Sequence, residues 1–207
     1  MINLISEKVT YRICGIIGIF GCFSVLITDI LGIALHEEHN PISNTISMLA
    51  IGKYGWIQDS GLDLLAVGFV AIAFGLYTWK NTGTRWILSL IILILIALDL
   101  VLIAEHNQYA GRPGYTIHRK LVYCLAVFFP VLLFMISSDL KAIKPVLKKI
   151  SRWIAVLWLV MAPLMPLIPD NLNGAYERLT GFLIILWLCI LSYHVYGLSH
   201  QKEHVQT

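Results

Sequence analysis

The sequence predicts an all-α, polytopic membrane protein folded as a compact bundle of six transmembrane helices, and three observations carry that prediction. Hydrophobic residues make up 58% of the 207 and charged ones only 13%, with a mean hydropathy of +0.78, too little polarity to cover a soluble globule of this size. Six apolar runs, about 12–35, 57–79, 86–104, 117–137, 152–169 and 178–198, reach the roughly 20 residues that a helix needs to cross a hydrocarbon core of about 30 Å. The runs are continuous, as in ILSLIILILIALDLVLIA at 87–104, where a closed barrel would alternate apolar and polar positions. One domain spanning residues 1–207 is expected.

Taken in order, the first run follows Lys8 and Arg12 in the manner of a signal peptide. It is too long for such an h-region and no small-x-small cleavage site follows, so it reads as a retained span. Asn40-Pro41 turns the chain out of it, into the polar segment HEEHNPISNTIS at 36–47. There Ser43 or Asn44 is expected to cap a short helix that lays Ile46, Met48 and Leu49 on the bilayer surface. The second run carries Gly61, Gly68 and Gly75 seven apart, a pattern for close helix approach. In the turn WKNTGTRW, Trp79 and Trp86 read as interface anchors. The lysine-rich connection SSDLKAIKPVLKKISRW reads as an interfacial segment facing anionic lipid heads. Pro163, Pro166 and Pro169 close the fifth run, where they should unwind its last turn and leave carbonyls unpaired. Cys14, Cys22, Cys124 and Cys189 all lie in apolar runs and read as small packing residues, with no Cys-x-x-Cys pair among them.

Charge sets the expected orientation. With the N-terminus inside, Lys8, Arg12, Lys80, Arg85, Lys141, Lys144, Lys148, Lys149, Arg152 and Lys202 are cytoplasmic, against Lys53, Arg112, Arg119, Lys120 and Arg178 outside. Both termini are therefore expected in the cytoplasm and the protein in the cell membrane. Membrane lipids are its expected partners, and nucleic acid is not.

The exterior connections hold most of the concentrated polarity. Asp29, Asp63 and Asp99 lie inside spans one, two and three, all in the outer third of the bilayer, where a carboxylate is costly and marks an ion pair or a functional cavity. Asp29, Gly32 and His36 share one helix face, and Asp59, Ser60 and Asp63 share another. His118, Arg119 and Lys120 open span four, and Glu177 and Arg178 open span six. Asp29, Asp63, Asp99, Arg119 and Arg178 thus form a candidate pocket for a lipid head group or small polar ligand, or a set of ion pairs that only braces the bundle.

Two chemistries compete with plain binding. His36, His39, His106 and His118, with Glu37, Glu38 and Glu105 nearby, are candidate ligands for Zn or a similar divalent ion, although no His-Glu-x-x-His motif occurs and solvated loop histidines are the alternative. A hydrolase or transferase acting on lipid-like substrates would use Ser43 or Ser47 as nucleophile, His118 as base, Glu105 as orienter and Arg178 at an oxyanion. No Gly-x-Ser-x-Gly turn supports it. A small transporter would show internal repeats and broken helices near mid-membrane, whereas the three aspartates crowd one face. No cofactor is assigned.

The segment NPISNTISMLAIGKYGWIQDSG at 40–61 resembles the Pro-x-Ser-x-Thr-Ile-Ser motif, Gly-Trp and second span of the six-span bacterial and archaeal membrane proteins classed as domain of unknown function 998. GAYERLTGFLIILWL at 174–188 is similar to that family's Gly-x-x-Glu-Arg before a Trp-containing last span. The Phe-Pro-x-Asp stretch common after span three is absent from AEHNQYAGRPGYTIHRK, where Glu105 falls near the Asp and His118 matches a His. The resemblance implies architecture and a bacterial inner-membrane location, and no reaction.

Overall fold

The computed structural model describes residues 2–79, 83–107 and 115–200. Among them are seven α-helices and no strand: α1 (Ile2–Leu35), α2 (Ile46–Leu49), α3 (Gly55–Tyr77), α4 (Thr84–Asn107), α5 (Tyr115–Leu140), α6 (Pro145–Leu164) and α7 (Asn173–Leu198). Short 3-10 turns at Met165–Leu167 and Asp170–Leu172 join the last two. All but α2 are long and apolar enough to cross a membrane, so the chain is a multi-pass membrane protein.

The six spans alternate in direction, each packed on the next, and α7 returns to lie along α1. The 36–54 connection and the openings of α5 and α7 therefore share one side, the loop face, while Ser6 and Leu198 mark the opposite face. Two helices extend beyond their apolar runs. At 1.5 Å per residue α1 is about 51 Å long, because its ladder continues through Glu7, Lys8 and Arg12 where no lipid is required. Pro145 supplies the first turn of α6, whose Leu147 is already buried; the lysine-rich connection is thus a tight hairpin between two spans and not a separate surface segment.

Phe129 centres the core of the bundle, edge-on to Trp158 at 4.9 Å and to Trp187 at 5.9 Å. Trp86 is also fully buried, 5.6 Å from Trp79, which corrects its reading as an interface anchor. Without water, each polar group in this core needs a protein partner, and tryptophan supplies two. The Trp187 indole donates to Ser151 Oγ at 2.9 Å. Pro130 has no N–H to offer the Ala126 carbonyl one turn before it, and the Trp158 indole donates to that oxygen at 2.9 Å instead. At the end of α6 the Met165 N–H turns to the Ala162 carbonyl, and the Tyr176 hydroxyl donates to Met161 O at 2.9 Å. The carbonyl freed near Pro163 and Pro166 is thus taken up by a neighbouring helix.

Helices α1 and α3 approach most closely along the predicted glycine row. A Cβ on Gly68 would meet Gly18 Cα at 3.5 Å, one on Gly75 would meet Cys14 Cβ at 3.0 Å, and one on Gly61 would collide with the Thr28 side chain. Gly61→Val is therefore expected to destabilise by about 1–3 kcal/mol, read as a lower Tm in detergent. Gly181→Ala, which meets no heavy atom within 4 Å, should leave Tm unchanged. Equal behaviour of the two variants would contradict the close approach.

Candidate functional site

At the loop face the polar segment folds into a small platform between α1 and α7. Asn40 Oδ1 accepts from the Ile42 N–H at 3.0 Å and the Asn44 N–H reaches back to Asn40 O at 2.7 Å, so the Asn-Pro pair builds a tight turn that presents carbonyls to α7. The first turn of α7 docks on it through its backbone. The Ala175 N–H donates to Ile42 O at 2.9 Å, and a Cβ on Gly174 would collide with Asn44 O, so only glycine allows this approach. Neither Ser43 nor Asn44 caps α2. Thr45 holds the N-cap position without a side-chain cap, and Glu177 Oε2, from α7, accepts the Ile46 N–H at 2.9 Å. Nor does α2 lie flat on the bilayer: Leu49 is fully buried against Gly32, while Met48 remains exposed.

Arg178 locks this platform. Its Nε and Nη2 bind the two oxygens of Asp29 at 3.0 Å each, while Nη1 donates to Pro41 O and Asn44 O at 2.9 Å and to Gly174 O at 3.2 Å. Nη2 also meets His39 Nε2 at 3.2 Å, and since arginine only donates, this nitrogen is the acceptor and His39 is neutral. Every donor nitrogen of the guanidinium is engaged, which suits a brace between helices and leaves little for a substrate oxyanion. His36 lies between two carbonyls, with Nδ1 2.9 Å from Gly32 O and Nε2 3.1 Å from Ile51 O.

A second polar group lies along α3, α4 and α5. Asp63 sits about 12 Å along α3 from its loop-face end and Asp99 about 12 Å along α4 from its own, at matching depth. Gln58, which the sequence reading missed, is fully buried one turn into α3. Among the described residues neither amide atom of Gln58 has a hydrogen-bond partner, and Asp63 Oδ1 and Asp99 Oδ2 share that condition. Glu105 at the end of α4 is close enough to Asp63 to repel it. His118 is buried against α4 with the Ile103 backbone as a hydrogen-bond partner, and His106 Nδ1 lies 2.7 Å from Leu102 O. Arg119 and Lys120 are exposed beside His118.

The sequence candidates thus divide. Asp29, His36, His39 and Arg178 meet at the platform, whereas Asp63, Asp99, Glu105, His106, His118 and Arg119 belong to α3–α5. The four histidines fall into two pairs, and among the described residues no three His, Cys, Asp or Glu side chains gather as a metal site. Ser47 bonds Thr45 at 3.1 Å on α2, which packs against α1, α3 and α7, while His118 is on α5 against α4 and α6. Ser43 bonds Asn44. The two serines of the hydrolase reading thus bond within the platform segment, and His118 lies on α5. Arg112 and the rest of 108–114 lie outside the described residues.

Two outcomes follow from the platform. Arg178→Ala leaves Asp29 without its cation and should cost about 3 kcal/mol or more, with Arg178→Lys intermediate because an ammonium cannot bridge both carboxylate oxygens and three carbonyls. The pH dependence has a definite sign. Burial first, then the nearby Arg178 and His36, hold the His39 pKa below its ordinary value, against a smaller opposing pull from Asp29. The folded protein therefore binds this proton less readily than the unfolded chain, and the contribution is complete above about pH 6.5 and lost as pH falls below it. Melting followed between about pH 7.5 and 5.5 should show this loss, and His39→Gln, which keeps an acceptor but does not titrate, should flatten it.

No curated protein and no solved structure is found to match the chain. A family model does match, over residues 19–194, which includes the platform, the α3–α5 group and four complete spans. The chain belongs to the family described as Protein of unknown function (DUF998).

Proposed function

We propose that this protein binds a lipid head group or small polar ligand at the loop-face ends of α3, α4 and α5, that it does so without catalysing a reaction, and that the loop face is noncytoplasmic. The observation that carries the reading is Gln58, wholly buried with neither amide atom bonded among the described residues, accompanied by the unmatched Asp63 Oδ1 and Asp99 Oδ2. Native proteins pair more than about 90% of such groups, and each unpaired one costs about 1–3 kcal/mol, so a buried amide held without a protein partner is suited to recognising something else. The chemistry favours a ligand with an ammonium. Asp63, Asp99 and Glu105 supply carboxylates, and Arg119 and Lys120, exposed at the start of α5, supply cations for a phosphate. A phosphoethanolamine head group carries both charges and, unlike choline, donates N–H hydrogen bonds.

Native mass spectrometry of the purified protein with phosphatidylethanolamine and phosphatidylcholine of matched acyl chains tests this. Several-fold preferential retention of the ethanolamine lipid is expected, and Gln58→Leu should abolish the preference while keeping or raising Tm, since an apolar side chain removes the unmatched amide. Equal retention of the two lipids, or a preference that survives Gln58→Leu, would overturn the reading. Orientation has its own test. Lys53→Cys, exposed at the loop face, should react with a membrane-impermeant maleimide in intact cells, and reaction only after permeabilisation would reverse the assignment.

A further inference from the structure

The α5–α6 hairpin at the opposite face carries a second set of binding features, separate from the loop face. Lys141, Lys144, Lys149 and Arg152 are exposed there and Lys148 is half-buried. Asp139, at the end of α5, is taken by Arg85, with Nε on Oδ2 at 3.0 Å and Nη2 on Oδ1 at 2.9 Å, so it does not neutralise the lysines. Lys149, Arg152, Trp153 and Val156 follow i, i+3, i+4 and i+7 on α6 and line one groove of about 280 Å³. Arg152 Nε donates to the buried Ser137 Oγ at 3.4 Å, which ties the guanidinium to α5 and leaves both terminal amino groups without an acceptor among the described residues.

Below the cations the groove is apolar and open to lipid. Trp153 is 68% exposed and Val156 44%, on the span with the smallest buried share of the six. From Lys149 to Val156 is about 10 Å along the helix, comparable to the descent from phosphate level into acyl chains. Such a gradient distinguishes a lipid from a free anion.

We propose that this groove is a site for one anionic glycerophospholipid, its phosphodiester held by Lys149 and the terminal amino groups of Arg152, its ester region against Trp153 and one acyl chain along Val156. The lipid would fasten the outer surface of α6, the span with the fewest buried residues.

The test compares phosphatidylglycerol with phosphatidylcholine of the same chains, by native mass spectrometry on the full-length protein. Several-fold preferential retention of phosphatidylglycerol is expected, lost in Lys149→Gln/Arg152→Gln and kept in Lys53→Gln at the loop face. Equal retention, or a preference unchanged in the double variant, would overturn the proposal. So would displacement of phosphatidylglycerol by an equal concentration of inorganic phosphate, which would mark a bare anion site. Because Arg152→Gln could disturb its contact with Ser137, a second readout uses the natural side chains. Brominated-chain phosphatidylglycerol should quench the fluorescence component removed by Trp153→Phe more than brominated phosphatidylcholine does, and equal quenching would count against the site.

Discussion

The guanidinium of Arg178 is the contact on which the loop face depends. It neutralises Asp29, a carboxylate near the loop-face end of a span, and its remaining donors bind the Pro41, Asn44 and Gly174 carbonyls. A charge and several backbone groups that the membrane would otherwise penalise are thereby satisfied together. The neighbouring residues of α7 extend the lock: Gly174 permits the approach, Glu177 caps α2 and Tyr176 fills a carbonyl on α6. The two motifs that resemble the family, NPISNTIS and GAYER, are therefore the two halves of one interface. Their polarity is explained by contact with each other before any ligand is invoked.

The same rule operates deeper in the bundle. Pro130 and the proline-rich end of α6 each disturb a helical ladder, and an aromatic donor from the adjacent helix occupies the carbonyl left over. At the opposite face Arg85 and Asp139 form a second two-point pair between α4 and α5. Against this economy, Gln58 and the Trp86 indole nitrogen are buried without a hydrogen-bond partner among the described residues, and Gln58 leaves both a donor and an acceptor unmatched. Brace and unmatched amide are thus separated, the first on α1 and α7, the second on α3.

Much of the fold was legible because hydrocarbon imposes a length and a composition that a sequence displays directly; six spans and the close α1–α3 approach through Gly61, Gly68 and Gly75 follow from that. Helix ends were less legible. Hydropathy marks where lipid begins, whereas α1 and α6 extend through charged turns that water can solvate. The site was readable in kind but not in grouping. Depth along a helix can be counted, which brought Asp29, Asp63 and Asp99 to one level. Which helices adjoin cannot be counted, and the three aspartates separate into two places. Glu177 as a cap for α2 and Gln58 as a buried amide were invisible for the same reason, since nothing local announces a partner 131 residues away or the lack of one.

The central claim is that Arg178 holds the 36–51 platform in place, and amide hydrogen exchange on the natural protein and Arg178→Ala, followed by peptide, tests it most directly. Exchange should accelerate together in residues 40–51 and in the first turn of α7, where the Asn44, Ile46 and Ala175 amides lose their acceptors, while α4 and α5 keep their protection. Unchanged protection across residues 40–51 would show that the platform stands without the arginine and would contradict the account.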